Sequence, residues 1–229
     1  MNSAALEGVI KIFLVLILVS AAFITTRRNI TSFFRNYSIQ SFFIAAVALF
    51  LFFQEKSQML LYVALLTILS KVVFIPLILT RIQKSMKIHR DVEFHYLKPG
   101  GSLAASISLI FLSYMLFSRL LPELGGNVFF YKGAVLGFSL VLIGMLIVFS
   151  RKMLITKIVG YLTMENGVVL FSLFIAELPF LLEVLVLMDL IMMVMVAAVL
   201  GFGITSSVEE FHAKLNPFRG WLKGGNGND

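Results

Sequence analysis

Seven stretches of this chain are long and apolar enough to cross a bilayer, and no other feature restricts its fold as strongly. A helix needs about 20 mostly apolar residues to cover roughly 30 Å of hydrocarbon. Such runs occupy Ala5–Thr25, Ser38–Phe53 (extending back toward Ser32), Gln58–Thr80, Ser102–Leu121, Phe129–Ser150, Leu154–Ala176 and Phe180–Ile204. Strands are excluded, because barrel strands are about 10 residues of alternating character and these runs are long and continuous. The first run is too long for a cleaved leader and carries Glu7 and Lys11 near its start, so it is expected to be a retained helix. The expectation is an all-α integral membrane protein of about seven transmembrane helices.

Composition agrees. Of 229 residues, 59% are hydrophobic and 14% charged, against about 45–50% and about 25% for an ordinary globular domain. So few charges cannot give such a chain a polar surface. There is no cysteine, which removes disulfides, thiolate zinc, iron–sulfur ligation and attached c-type haem. His89, His95 and His212 are scattered through polar segments. No metal site, cofactor or catalytic residue is expected.

Basic residues set the orientation. Fourteen of the 19 Lys and Arg fall in the segments around Arg27, Arg81–Lys98, Arg151–Lys157 and Lys214–Lys223, all on one side of the predicted spans. Only Lys56, Arg119 and Lys132 fall on the other. The N-terminus is therefore expected outside and the C-terminus in the cytoplasm. The net charge of +7 is a topology signal and gives no reason to expect nucleic acid. The cytoplasmic loop Arg81–Gly101 mixes basic residues with Ile82, Met86, Ile88, Val92, Phe94 and Tyr96. It reads as a short helix lying in the headgroup region or as a subunit-docking segment. The tail after Ser206 ends in Gly-Gly-Asn-Gly-Asn-Asp and is expected to be mobile.

The residues that point to chemistry are ionisable groups inside the spans: Lys71, Glu165 and Asp189. With the last turn near Pro179, all three are expected roughly 15–20 Å deep at 1.5 Å rise per residue. Facing lipid, each would cost on the order of 2.5–3.5 kcal/mol, so they must face protein or water. Two readings stand. Lys71 pairs with a carboxylate as a buried structural bridge, or the three are stations of a proton or cation path, the default for intramembrane charges. The number of charges favours the path, because a bridge needs only two. Glu183, one turn into the last helix, is a candidate mouth for it, while Glu177 reads as solvated. Pro76 removes the hydrogen bond to the Val72 carbonyl and loosens the helix beside Lys71. Asn166 and Gly167 make a polar, thin-walled patch after Glu165. Gly133, Gly137 and Gly144 form a stripe suited to close helix packing.

Helices one to three and five to seven share a layout. Arg27-Arg28 precedes Gln40 much as Arg151-Lys152 precedes Glu165, and Lys71 and Asp189 follow on the third helix of each set. This suggests two three-helix repeats joined by a connector. The resulting division is 1–101 for the first three helices and loop, 102–128 for the connector, 129–204 for the second unit and 205–229 for the tail.

The segment Ile158-Val-Gly-Tyr-Leu-Thr-Met-Glu-Asn-Gly-Val-Val-Leu-Phe171, with Pro179, Glu183 and Asp189, resembles the E-type membrane subunit of hydrogenase-4-type complexes. Lys71-Val-Val-Phe-Ile-Pro76 looks like that family's lysine-containing third helix. The resemblance runs from about Gln58 to Ile204. Helices five to seven are more distantly similar to the K-type subunit of complex I and the C-type subunit of multisubunit Na+/H+ antiporters. In the K-type subunit the first glutamate sits one turn earlier, at the position of Leu162. Glu165 would take its place from the same face, and Asp189 that of the second glutamate. The resemblance implies a non-catalytic subunit of an energy-converting oxidoreductase in a prokaryotic cell membrane. Its partners would be antiporter-like subunits and a cytoplasmic iron–sulfur or hydrogenase-type arm. Its ion path would use Lys71, Glu165, Asp189 and Glu183. A stand-alone secondary transporter is the alternative, disfavoured because the paired Gly/Pro-interrupted spans of a midplane substrate site are missing. A purely structural membrane scaffold is the third reading.

Overall fold

A computed structural model describes residues 3–26, 29–85, 99–119, 128–151 and 153–175, and the separate positions 187, 188, 191 and 194. Its elements are all helical, with no strand among the described residues. They are α1 (Ser3–Thr26), α2 (Ile30–Glu55), α3 (Gln58–Thr67), a π-helical segment (Ile68–Phe74), α4 (Ile75–Ser85), α5 (Pro99–Ser118), α6 (Val128–Ser150) and α7 (Leu154–Ile175). The π-helical segment joins α3 to α4 without a break, so among the described residues six helices are long and apolar enough to cross a membrane. This is the pattern of a multi-pass membrane protein.

Local chemistry marks the turns. Asn29 caps α2, its side-chain oxygen accepting the Thr31 N–H at 3.0 Å, as an N-cap side chain does for an orphan donor. At the other end Lys56 takes the left-handed conformation (φ 54°, ψ 24°). Its N–H bonds the Phe52 carbonyl at 2.7 Å, and the chain turns back into α3 at once.

Several boundaries move from the sequence expectation. The second span starts at Ile30, two residues before the expected extension toward Ser32, because Ile30, Phe33, Phe34 and Tyr37 are buried and carry its apolar side through the polar residues between them. The fourth span slides toward the N-terminus, to Pro99–Ser118, since proline is well suited to a first helical turn. The seventh run, the loop from Met86 to Lys98 and the tail lie outside the described residues, apart from the four separate positions. The two-repeat arrangement depends on that seventh run.

Helix α2 sits centrally, against α1, α3, the π-helical segment, α4 and α7. Its Phe33, Tyr37, Ile44 and Leu51 are fully buried. The closest pairing is α6 with α7, and the glycine stripe explains it. A Cβ at Gly137 would collide with the backbone of Phe171, and one at Gly167 would meet the backbone of Val141 and the Gly137 carbonyl. The two helices thus touch backbone to backbone, the small-residue contact of membrane helix pairs. Helix α5 is peripheral, packing on α6 and α1 with Leu103, Ile107, Phe111 and Met115 on its exposed side.

Candidate functional site: a buried ion pair beside a polar cluster

Lys71 lies 13 residues after the start of the span Gln58–Arg81, and Glu165 lies ten residues from either end of Ile155–Ile175. At 1.5 Å per residue both are roughly 15–20 Å from the helix ends. The structure brings them together: Lys71 Nζ stands 2.7 Å from Glu165 Oε1, and each side chain is only 1% exposed. The lysine and the glutamate are 94 positions apart in sequence, and α2 packs against both the segment carrying Lys71 and the helix carrying Glu165.

The backbone around Lys71 is unusual for a reason the sequence supplies. Pro76 has no N–H to offer the Val72 carbonyl, and its ring crowds that carbonyl in a regular α-helix. The chain widens to π geometry over Ile68–Phe74, with the Ile75 N–H bonding back five residues to the Ser70 carbonyl. The Val72 carbonyl is satisfied from another helix, by the Ser38 hydroxyl of α2 at 2.9 Å. Short π segments inside α-helices are rare and occur frequently at functional sites.

Beside the ion pair lies a second polar group. Asn166 Nδ2 donates to Ser41 Oγ at 2.9 Å and to Gln40 Oε1 at 3.3 Å. All three side chains are fully buried. Gln40 Nε2 and Asn166 Oδ1 have no hydrogen-bond partner among the described residues. Such atoms are costly to leave unpaired, and a polar recess with several convergent groups is where internal water binds. One turn before Glu165, the Tyr161 hydroxyl donates to Met188 Sδ at 2.8 Å, the contact nearest in sequence to Asp189.

Comparison with protein-family models, curated proteins and solved structures gave no match. What the site can do follows from its own donors and acceptors. An ammonium and a carboxylate 2.7 Å apart can exist as an ion pair or, after one proton crosses, as amine and carboxylic acid. The amide and hydroxyl groups next to them can hold water on the carboxylate's helix.

Of the sequence-derived site residues, Lys71 and Glu165 meet, while Gln40, singled out in the sequence only as a landmark of the suggested repeat, contacts Asn166. Glu183 and Asp189 lie outside the described residues. Sequence reasoning missed Ser38 and Ser41, since serines are ordinary in membrane helices and nothing in their spacing marks them. It also read Arg151 as a loop charge and a repeat landmark, not as a buried contact. Arg151 is buried, donates from Nη2 to the Thr25 carbonyl at 2.7 Å and lies over the Phe33 ring at 5.5 Å.

Proposed function

We propose that this protein is a membrane-arm subunit of a complex I-like, energy-converting oxidoreductase of the hydrogenase-4 or formate hydrogenlyase type. Its own part is proton or sodium movement through buried charges. The observation that carries this reading is the Lys71–Glu165 contact at 2.7 Å, with both groups buried at mid-span. A lysine paired at that depth can change charge when its partner takes up a proton, and a change of charge in a low-dielectric interior acts strongly on neighbouring ionisable groups. Asp189, on the next predicted helix, and Glu183, nearer its end, continue the path in this proposal. The Gln40–Ser41–Asn166 cluster supports it by offering a polar route to Glu165 from the α2 side. Partners are antiporter-like membrane subunits and a cytoplasmic electron-transfer arm, in a prokaryotic cell membrane with the N-terminus outside.

The deciding experiment is Glu165→Gln in the native host. The complex should assemble in normal amount, keep electron transfer and lose coupled ion translocation. Full coupling in an assembled Glu165→Gln complex overturns the role. Autonomous transport by the isolated, reconstituted chain would replace this reading with a secondary transporter.

A further inference from the structure

Away from the ion pair, an open groove of about 490 Å³ runs between α5 and α6, within the roughly 300–1,000 Å³ range of small-molecule sites. Its walls are Ile107, Phe111 and Tyr114 from α5 and Lys132, Val135 and Leu136 from α6. Tyr114, four residues before the end of α5, and Lys132, four after the start of α6, line the same end of the groove, where the Tyr131 hydroxyl reaches the Tyr114 carbonyl. Ile107 is seven residues deeper on α5, about 10 Å further along.

The groove is therefore amphiphilic along its length, with a cation at the mouth and hydrocarbon below. Tyr131 is buried at the mouth with its hydroxyl on the Tyr114 carbonyl at 3.3 Å, and the two rings meet edge to face. Tyrosines at this level are the usual marker of the membrane–water interface. Lys132 is exposed and in no ion pair among the described residues. By contrast, Lys11, on the N-terminal half of α1, is neutralised by Glu7 at 3.5 Å. Arg119, one residue past α5, adds a second exposed cation at the same end.

We propose that this groove is a lipid site. It holds one acyl chain of an anionic phospholipid along Ile107, Phe111 and Val135, with the lipid phosphate at Lys132. A helix from another subunit would have to bring an apolar face and, separately, an anion placed at Lys132. The phospholipid satisfies both ends.

The test is native mass spectrometry of the protein, alone or in whatever complex it purifies with, extracted in mild detergent from its own membranes. The expected result is one retained phospholipid, enriched in anionic headgroups relative to the bulk membrane. Lys132→Gln should lower anionic retention about fivefold, the factor one basic side chain is worth near an anionic surface, while leaving neutral lipid retention unchanged. Ile107→Trp, which fills the deep end from an exposed position, should lower retention of every lipid with no change in melting temperature. Retention that mirrors the bulk composition, or is insensitive to both variants, overturns the proposal. So does photo-crosslinking from position 107 that captures protein instead of lipid.

Discussion

The Ser38 hydroxyl occupies the Val72 carbonyl that Pro76 leaves without a helical donor, reaching it from α2 at 2.9 Å. One side chain thus ties the widened turn carrying Lys71 to the central helix. Ser38→Ala should destabilise the protein in detergent by about 1–3 kcal/mol, the cost of an unpaired buried polar group. Pro76→Ala restores an N–H close to that carbonyl, so the double variant should lose much less than Ser38→Ala alone. Equilibrium unfolding of the two single variants and the double variant measures the coupling. Strict additivity would mean that the two groups do not share the carbonyl.

The ion pair makes a second prediction through its asymmetry. Removing one partner together with its hydrogen-bonding atoms leaves the other charge buried without that contact, which costs about 3–5 kcal/mol, whereas Glu165→Gln keeps an amide oxygen for the Lys71 ammonium. Glu165→Leu and Lys71→Met should each destabilise on that scale. The double variant should recover most of the loss, since replacing a buried pair by apolar groups is often close to neutral. Thermal unfolding reads this directly. The recovered double variant then separates stability from transport: a scaffold would work normally, whereas a subunit that moves ions through this pair would stay uncoupled.

How far the sequence reaches depends on the range of the signal. Long apolar runs are local, so all six described spans are legible to within a few residues. The start of α2 is the least sharp of them, because Arg35, Asn36 and Ser38 interrupt the apolar run, although the side that faces the core continues through Ile30, Phe33, Phe34 and Tyr37. The depth of Lys71 and Glu165 is equally legible, since it needs only a count from the helix ends. Their pairing is not, because it joins residues 94 apart and sequence spacing carries no information about that contact. Gln40 and Asn166, 126 positions apart, meet for the same reason and are equally hidden. The π-helical turn has one local signal, Pro76, which indicates a weakened helix but not the Ser38 hydroxyl that completes it.

The α6–α7 contact supports the site from behind. Because Gly137 and Gly167 let the two backbones touch, any side chain there must push the helices apart. Gly167→Val should cost at least about 1–3 kcal/mol, the usual penalty of overpacking, and should displace the neighbouring Glu165 as well. Gly8→Ala is the control. Gly8 has open space around it, so alanine should be neutral or stabilising by up to about 1 kcal/mol from helix propensity. Melting temperatures of the two variants in the same detergent make the comparison, and equal values would remove the close approach as a structural element.

Arg151 holds the end of α1 in a way that only a guanidinium can. The Thr25 carbonyl is among the last four of α1, which have no partner within their own helix, and Arg151 Nη2 supplies one at 2.7 Å. The same plane lies over the Phe33 ring of α2, so one side chain joins α1, α2 and the α6–α7 turn. Lysine keeps the charge but lacks the planar fork. Arg151→Lys should therefore destabilise by about 1.5–3 kcal/mol, the range for a hydrogen bond to a charged group. Burial pushes the pKa of Arg151 down to about 10, so the group stays charged at neutral pH. Because the folded pKa lies below the unfolded one, this desolvation opposes folding at every pH below about 10 and is relieved only as the pH rises through that value. The stability difference between the wild type and Arg151→Met should then be flat from pH 6 to 9. A slope in that window, measured by unfolding at several pH values, would require another titrating group in contact with Arg151.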